Sequence, residues 1–424
     1  MNQRYSVVWV TVILLAASCT LPVLAFMNAR GLAVSSATVG LTEALIFALC
    51  IGVQIKRVPP WTVAIGLSVF SLILLTWLLR QSPDLKSARD LLIPILIISL
   101  GRYVADLEFA ERWVRWITAL VVVVALFEWL MTDAYGWVFN TFSFYAKLGS
   151  IRESAAMFGG QTLTLNGYRP EGIGRTLLPA ILGAHRTSSI FLEPVSLGNF
   201  AVILLAWALS KSWPMMKKSG LVLGLAALVL IVLSDSRFGL LMATLLLAFR
   251  LVPLPVFRWI APVLPFALFA TILAVPVFLP GFGDNVLGRV SASGQALLRF
   301  DGARLMGIDS PVPGFGDMGY AYVLSRFGVL QVLAMVFLLF LIPAPSVRSE
   351  RFRGLIVLYF FCSLAISGTS VFALKTAGLM WFLFGTLSAV LPARPLSSPA
   401  PNPAPTPDLD LDTIPVPLRT RSPA

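Results

Sequence analysis

The sequence predicts an all-α, polytopic membrane protein with about twelve transmembrane helices and two larger loops on its outer face. Composition is the first reason. Hydrophobic residues make up 58% of the chain and charged residues 12%, at a mean hydropathy of +0.86, whereas a soluble domain carries about a quarter charged residues. Second, the apolar runs approach the roughly 20 residues with which a helix crosses a hydrocarbon core of about 30 Å, and no period-2 alternation suggests a barrel. Third, Lys and Arg recur in the short segments between alternate runs, the pattern that sets membrane topology.

Apolar runs read against breakers place the spans near residues 7–26, 35–55, 61–79, 89–105, 113–131, 190–209, 220–234, 238–252, 259–279, 319–342, 354–369 and 376–391. The first, after Arg4, is read as a helix that stays in the membrane. A cleaved signal peptide, or a lipidation box at Ala16-Ala17-Ser18-Cys19, fits less well, because many spans follow and their charges suit two inner termini. With an even number of spans, Lys56-Arg57, Arg102 to Arg115, Lys211 to Lys218, Arg250 with Arg258, and Arg348 to Arg353 all fall on one side. The positive-inside rule makes that side the cytoplasm, and a bacterial cytoplasmic (inner) membrane is the expected location.

The seventh and eighth spans are short, and only Ser234-Asp235-Ser236-Arg237 separates them. A tight outer turn or a buried polar kink fits; either way Asp235 and Arg237 are expected to pair or to face a polar cavity. Two segments are too long for turns, and both fall outside. Residues 132–189 hold Lys147, Arg152, Arg169, Arg175 and Arg186 with aromatic residues from Trp137 to Tyr168, and residues 280–318 hold Arg289, Arg299, Arg304 and Asp317. Short outer loops usually carry few cations, so an anionic ligand is expected there. The aromatics suit an interfacial belt or the faces of sugar rings. Residues 1–394 thus read as a membrane domain and 395–424 as a Pro-rich, disordered cytoplasmic tail. The D-x-D spacings of Asp408, Asp410 and Asp412 in that tail lack the rigid fold that a nucleotide-sugar site needs.

The net charge of +12 is explained by topology and anionic lipid headgroups, so no nucleic-acid partner is expected. Cys19, Cys50 and Cys362 sit in apolar runs without metal or redox spacing and read as small core residues. No Walker loop, dinucleotide fingerprint, H-E-x-x-H or Cys/His cluster is present, and neither cofactor nor metal is expected.

His185, the sole histidine, is a conceivable proton acceptor, although Arg186 beside it lowers its basicity. Arginine suits a diphosphate because its planar guanidinium donates paired hydrogen bonds and stays charged; snorkelling to headgroups is the plain alternative. Glu193, just before Pro194 at the start of a span, fits a helix cap or a catalytic acid. Glu43 and Glu128 fit proton-relay groups of a transporter, and neither shows a partner in the sequence.

Three stretches, HRTSSIFLEPVSLGN, SDSRFG and DSPVPGFGDMGYAYVLSRFGVL, in this order among the spans, resemble the O-antigen ligase and polymerase superfamily. The similarity is greatest to its Wzy-type exopolysaccharide repeat-unit polymerases, such as those of the xanthan type. The resemblance implies a metal-independent glycosyltransferase at the outer face of the cytoplasmic membrane, which moves a growing glycan from its polyprenyl diphosphate onto the next lipid-linked repeat. It implies Arg186 first, then Arg237, with Arg289, Arg299 and Arg304 behind them, as diphosphate-binding residues. Ligases of this superfamily commonly place a histidine just before the helix corresponding to GYAYVLSRFGVL, where this chain has Gly316-Asp317-Met318-Gly319-Tyr320. Asp317 is therefore the expected base, with Glu193 its competitor and His185 a third candidate. Expected partners are the lipid-linked oligosaccharide donor and acceptor, membrane lipids, and chain-length or export proteins. An O-antigen-type ligase and a glycan flippase or transporter are the alternatives.

Overall fold

The computed structural model describes residues 3–56, 58, 60–149, 167, 175–279, 286–309 and 315–390. Every regular element among them is a helix, the one open-ended structure that satisfies its own backbone groups in hydrocarbon. In chain order they are α1 (Gln3–Ala29), α2 (Ser36–Gln54), α3 (Pro60–Arg80), α4 (Leu85–Val104), α5 (Leu107–Leu130), α6 (Thr132–Phe139), α7 (Thr141–Lys147), α8 (Pro179–Leu182) and α9 (Pro194–Ser210). There follow α10 (Trp213–Met215), α11 (Leu221–Leu233), α12 (Arg237–Leu251), α13 (Leu254–Phe278), α14 (Val286–Leu298), α15 (Gly302–Leu305), α16 (Gly319–Leu341), α17 (Val347–Leu364) and α18 (Leu374–Ala389).

Helices occupy each stretch read as a span, but by length and composition seven segments among the described residues are fit to cross a membrane. They are Val7–Ala29, Ser36–Gln54, Thr62–Arg80, Leu107–Leu130, Trp213–Leu233, Leu254–Phe278 and Gly319–Leu341. The remainder fall short for visible reasons. Helices α4 and α17 carry several charges, and α9, α12 and α18 have 17, 15 and 16 residues. The expected short seventh span is longer than its apolar run, because a π-helical turn at Met216–Gly220 joins α10 to α11. The chain is an all-helical, polytopic membrane protein. Its described part belongs to one compact unit, Met1–Val390; the Pro-rich tail lies outside the described residues.

Helix ends gather on two faces. At one, which we call the loop face, Asn28 in the last turn of α1 bonds Ser143, Arg80 at the end of α3 bonds Gly307, Thr187 bonds Leu233 at the end of α11, and Gly368 after α17 bonds Gly316. At the opposite face, the expected basic side, Glu111 accepts from Lys211 at 2.7 Å and from Arg348 at 2.5 Å, while Arg250 donates to Lys211 O and Arg351 to Arg250 O. Cations that look solitary in sequence are thus neutralised or spent on carbonyls at the helix ends.

Helices α9 and α18 form the centre, with nearly every side chain buried. Helix α9 packs against α11, α12 and α17, and α18 lies along α4. Gly101 and Gly385 meet at that last crossing, where a Cβ on either would run into the carbonyl of Phe382 or Ile98; small residues let backbones approach closely in lipid. The periphery is equally apolar: Leu78 of α3 is 75% exposed and Trp259 of α13 82%. Water does not tolerate such surfaces at this density, whereas acyl chains do.

Candidate functional site

The first loop folds down onto the turn between α11 and α12. Its anchor is Glu128, fully buried at the end of α5. One carboxylate oxygen accepts the amides of Ser188 and Ser189 at 2.7 and 2.6 Å; the other lies 2.9 Å from the Ser188 hydroxyl and 3.0 Å from His185 Nε2. The spacing His185-x-x-Ser188-Ser189 brings a ring, a hydroxyl and two amides to one charge, which is what a buried carboxylate requires. Tyr135 Oη adds a 2.6 Å bond to Ser189 O. Glu128, which shows no partner in the sequence, therefore has four.

Arg175 performs the complementary task and is only 4% exposed. It donates to Leu177 O at 3.0 Å, His185 O at 2.5 Å, Leu233 O at 2.8 Å and also to Val232 O. Two of these are orphan carbonyls at the C-terminus of α11, where a cation also opposes the helix dipole. In return Asp235, in the left-handed region at φ 50°, accepts the amide of Leu177 at 2.7 Å and the amide and hydroxyl of Thr176 at 3.1 and 2.8 Å. Ser234-Asp235-Ser236 is thus a tight turn, and it is buried by the loop laced over it.

Arg186 and Arg237 come together on this turn. The Arg186 Nε donates to Ser234 O at 3.2 Å, and Arg237 opens α12 three residues later, after the Ser236 hydroxyl caps Gly239 N at 2.9 Å. Both side chains are half-buried. The Arg237 Nε has no hydrogen-bond partner among the described residues, and Asp235 is occupied by the loop backbone. Arg152, Arg169 and Tyr168 lie outside the described residues.

A second group forms where α9 and α18 begin. Glu193 Oε2 accepts from Lys375 Nζ at 2.7 Å and from Ser196 Oγ at 2.8 Å, and the same ammonium reaches Phe191 O at 3.0 Å. Burial pushes the Glu193 carboxyl up, but the Lys375 charge and the hydrogen bonds outweigh it and hold the group below the usual carboxylate range. The buried Tyr145 hydroxyl lies beside it and is pushed well up by burial and that neighbouring charge. Asp317 is exposed on the turn Phe315–Asp317, which Gly368 N ties to the α17–α18 connection through a 2.8 Å bond to Gly316 O. That connection leads into α18, whose first turn carries Lys375, the partner of Glu193.

His185 is buried against Glu128 and fastens the loop. Arg289 and Arg299 lie on or just after α14, and Arg304 on α15 pairs with Asp309 at 3.1 Å. The expected aromatic belt divides: Phe144 and Tyr135 pack inward against Leu24 and Leu192, while Trp137 is exposed beneath Arg30, 3.8 Å from its ring centre.

Sequence reading missed a third charged group, at the loop-face ends of α3, α4 and α16. There Arg89 bonds Asp90 at 2.6 Å and lies 3.5 Å from Glu43; Tyr322 Oη donates to Asp90 at 2.6 Å; and Asp84 pairs with Arg326. An arginine inside the SRFGVL stretch was the available signal, since ionisable residues within spans mark function by default. Below this group an apolar cavity of about 180 Å³ lies between α3, α4, α13 and α16. No group of three or more His, Cys, Asp or Glu that would hold a metal occurs among the described residues. No protein-family profile, curated protein or solved structure matches this chain.

Proposed function

We propose that this protein polymerises polyprenyl-diphosphate-linked oligosaccharide repeats into an exopolysaccharide, working as a twelve-span enzyme of the bacterial cytoplasmic membrane with both termini inside and the loop face outside. The observation that carries the reading is that Arg186 donates to the Ser234 carbonyl of the turn from which Arg237 starts α12. Two guanidiniums at the mouth of an apolar helical body suit the diphosphate of a membrane-anchored donor. The α12 N-terminus adds its dipole to the same charge.

In the step we envisage, a hydroxyl oxygen of the acceptor sugar attacks the anomeric carbon of the donor. The bond from that carbon to the diphosphate oxygen breaks, and the electron pair leaves with the diphosphate, which Arg186 and Arg237 stabilise. The hydroxyl proton passes to a carboxylate. Asp317 suits this role better than Glu193, because Glu193 is committed to Lys375 and Ser196 whereas Asp317 is exposed. A single direct displacement inverts the anomeric configuration. A proton-coupled transporter reading is less well supported, since Glu128 is held by four donors and Glu43 by Arg89.

The test is the size distribution of lipid-linked and surface glycans in a deletion strain complemented with wild type or Arg186→Ala. Single repeats on the carrier at the outer face, with long polymer lost in both the deletion and Arg186→Ala, is the expected result. Full-length chains stranded on the carrier would instead indicate a ligase, and repeats trapped at the inner face a flippase. Normal polymer from Arg186→Ala would remove the site assignment.

A further inference from the structure

A polymerase of this kind handles two lipid-linked molecules at once, and the Arg186–Arg237 turn accounts for one diphosphate. The charged group at the ends of α3, α4 and α16 has the features of a second such site. Its arginines are committed: Arg89 to Asp90 and Glu43, Arg326 to Asp84, and Arg80 to Gly307 O at 2.5 Å, Arg326 O at 3.0 Å and Ser325 O at 3.2 Å. These bonds neutralise all three carboxylates and leave Lys86 over. It is exposed, its Nζ is 5.2 Å from the centre of the Tyr322 ring, and it makes no ion pair among the described residues. Arg326 approaches the same ring at 4.7 Å, so two cations lie against one aromatic ring.

The apolar cavity begins directly beneath. Leu91 and Pro94 follow Asp90 along α4, and Val323 and Leu324 lie between Tyr322 and Arg326 on α16; all four line it. Its lining continues down α16 from Tyr320 to Ile342, a helical length of about 33 Å, the depth of a hydrocarbon core. The lining is apolar almost throughout, and the charged group at its upper end carries Lys86, which suits a hydrocarbon chain with an anionic head.

We propose that Lys86 and this groove bind the second lipid, a polyprenyl diphosphate whose head lies against Lys86 and whose single chain runs along α16. The role of that lipid as acceptor rests on the polymerase reading; the binding itself does not.

The experiment uses the full chain, purified in detergent, with undecaprenyl diphosphate as the probe and native mass spectrometry to count bound lipids. Wild type is expected to bind two. Lys86→Ala is expected to lower second-site affinity about tenfold, as the loss of a charged contact of roughly 1.5 kcal/mol does, and Val332→Trp, which fills the groove, to leave one lipid bound. Arg186→Ala should likewise leave one, and Lys86→Arg should retain two. In the wild type, a photoreactive chain end should label peptides of α4 or α16. Undiminished second-site binding in both Lys86→Ala and Val332→Trp overturns the proposal. So does labelling confined to other helices, or displacement of the second lipid by an equal concentration of dioleoylphosphatidylglycerol. Because binding is read without turnover, the two ideas fail separately: normal polymer from Arg186→Ala sinks the polymerase reading even where Lys86→Ala has lost its lipid.

Discussion

At the scale of single residues, Glu128 is a clamp rather than a carrier of protons. Its carboxylate holds the amides of Ser188 and Ser189 and faces His185, so Glu128→Ala strands buried donors and is expected to destabilise the fold by about 3–5 kcal/mol. Thermal unfolding in detergent should rank Glu128→Ala well below His185→Gln, which leaves the serine contacts in place; equal losses would refute the clamp. Glu193 carries a pH dependence. Its pKa is lowered in the fold, so its pairing with Lys375 stabilises above the unfolded carboxylate value of about 4.3 and is lost as pH falls through the lower folded value. The stability difference between wild type and Lys375→Met should therefore be flat from about pH 6 to 8 and fall away only as the pH drops below the ordinary carboxylate value of about 4.3. A difference that persists in acid would assign Lys375 to packing instead. Arg186 and Arg237 were legible as candidates because arginines stand out in so apolar a chain and lie in the stretches that carry the resemblance. The partners of Glu128 were not, because they lie about 60 positions away and only the folded loop delivers them.

At the scale of elements, α16 is one helix in name and two in geometry. Gly328 leaves the helical region at φ 72° and ψ 162°, and Gly307 at φ 71° packs its backbone into the break. The freed carbonyls of Ser325 and Arg326 accept from Arg80, whose side chain is fully buried and also donates to the Gly307 carbonyl. Breaks of this kind persist in lipid only where something re-satisfies the backbone. Gly328→Ala forces a side chain into a conformation it disfavours and into the Met306 carbonyl, and should cost about 2 kcal/mol or more. Arg80→Ala should cost a similar amount; because all three bonds come from the single terminal nitrogen Nη2, an ammonium can stand in for it in kind, and Arg80→Lys should recover part of that loss. Full rescue by lysine, read by thermal unfolding, would show that charge alone matters. The glycine break is hidden in sequence, because an apolar run with one glycine reads as an ordinary span.

For the whole molecule, topology is the decisive property. Single cysteines at Lys147 and Lys217, in a chain with Cys19, Cys50 and Cys362 replaced by alanine, should label differently with a membrane-impermeant maleimide on intact cells. Lys147→Cys is expected to react and Lys217→Cys to be silent; the reverse would turn the protein over and place the loop face in the cytoplasm. What the amino-acid order determined alone was the helical, membrane-spanning class, the approximate position of each apolar helix and the face at which the Glu111 cluster of cations collects. Those properties follow from hydrophobic length and charge spacing, which are local and add along the chain. Tertiary structure alone decided that Arg186 reaches the turn from which Arg237 starts α12, that Glu193 is paired with Lys375, that Glu128 is spent on the loop, and that a charged group tops the groove beside α16. These contacts join residues far apart in sequence, several of them through backbone carbonyls and amides, groups that every residue carries and no pattern of side chains reveals.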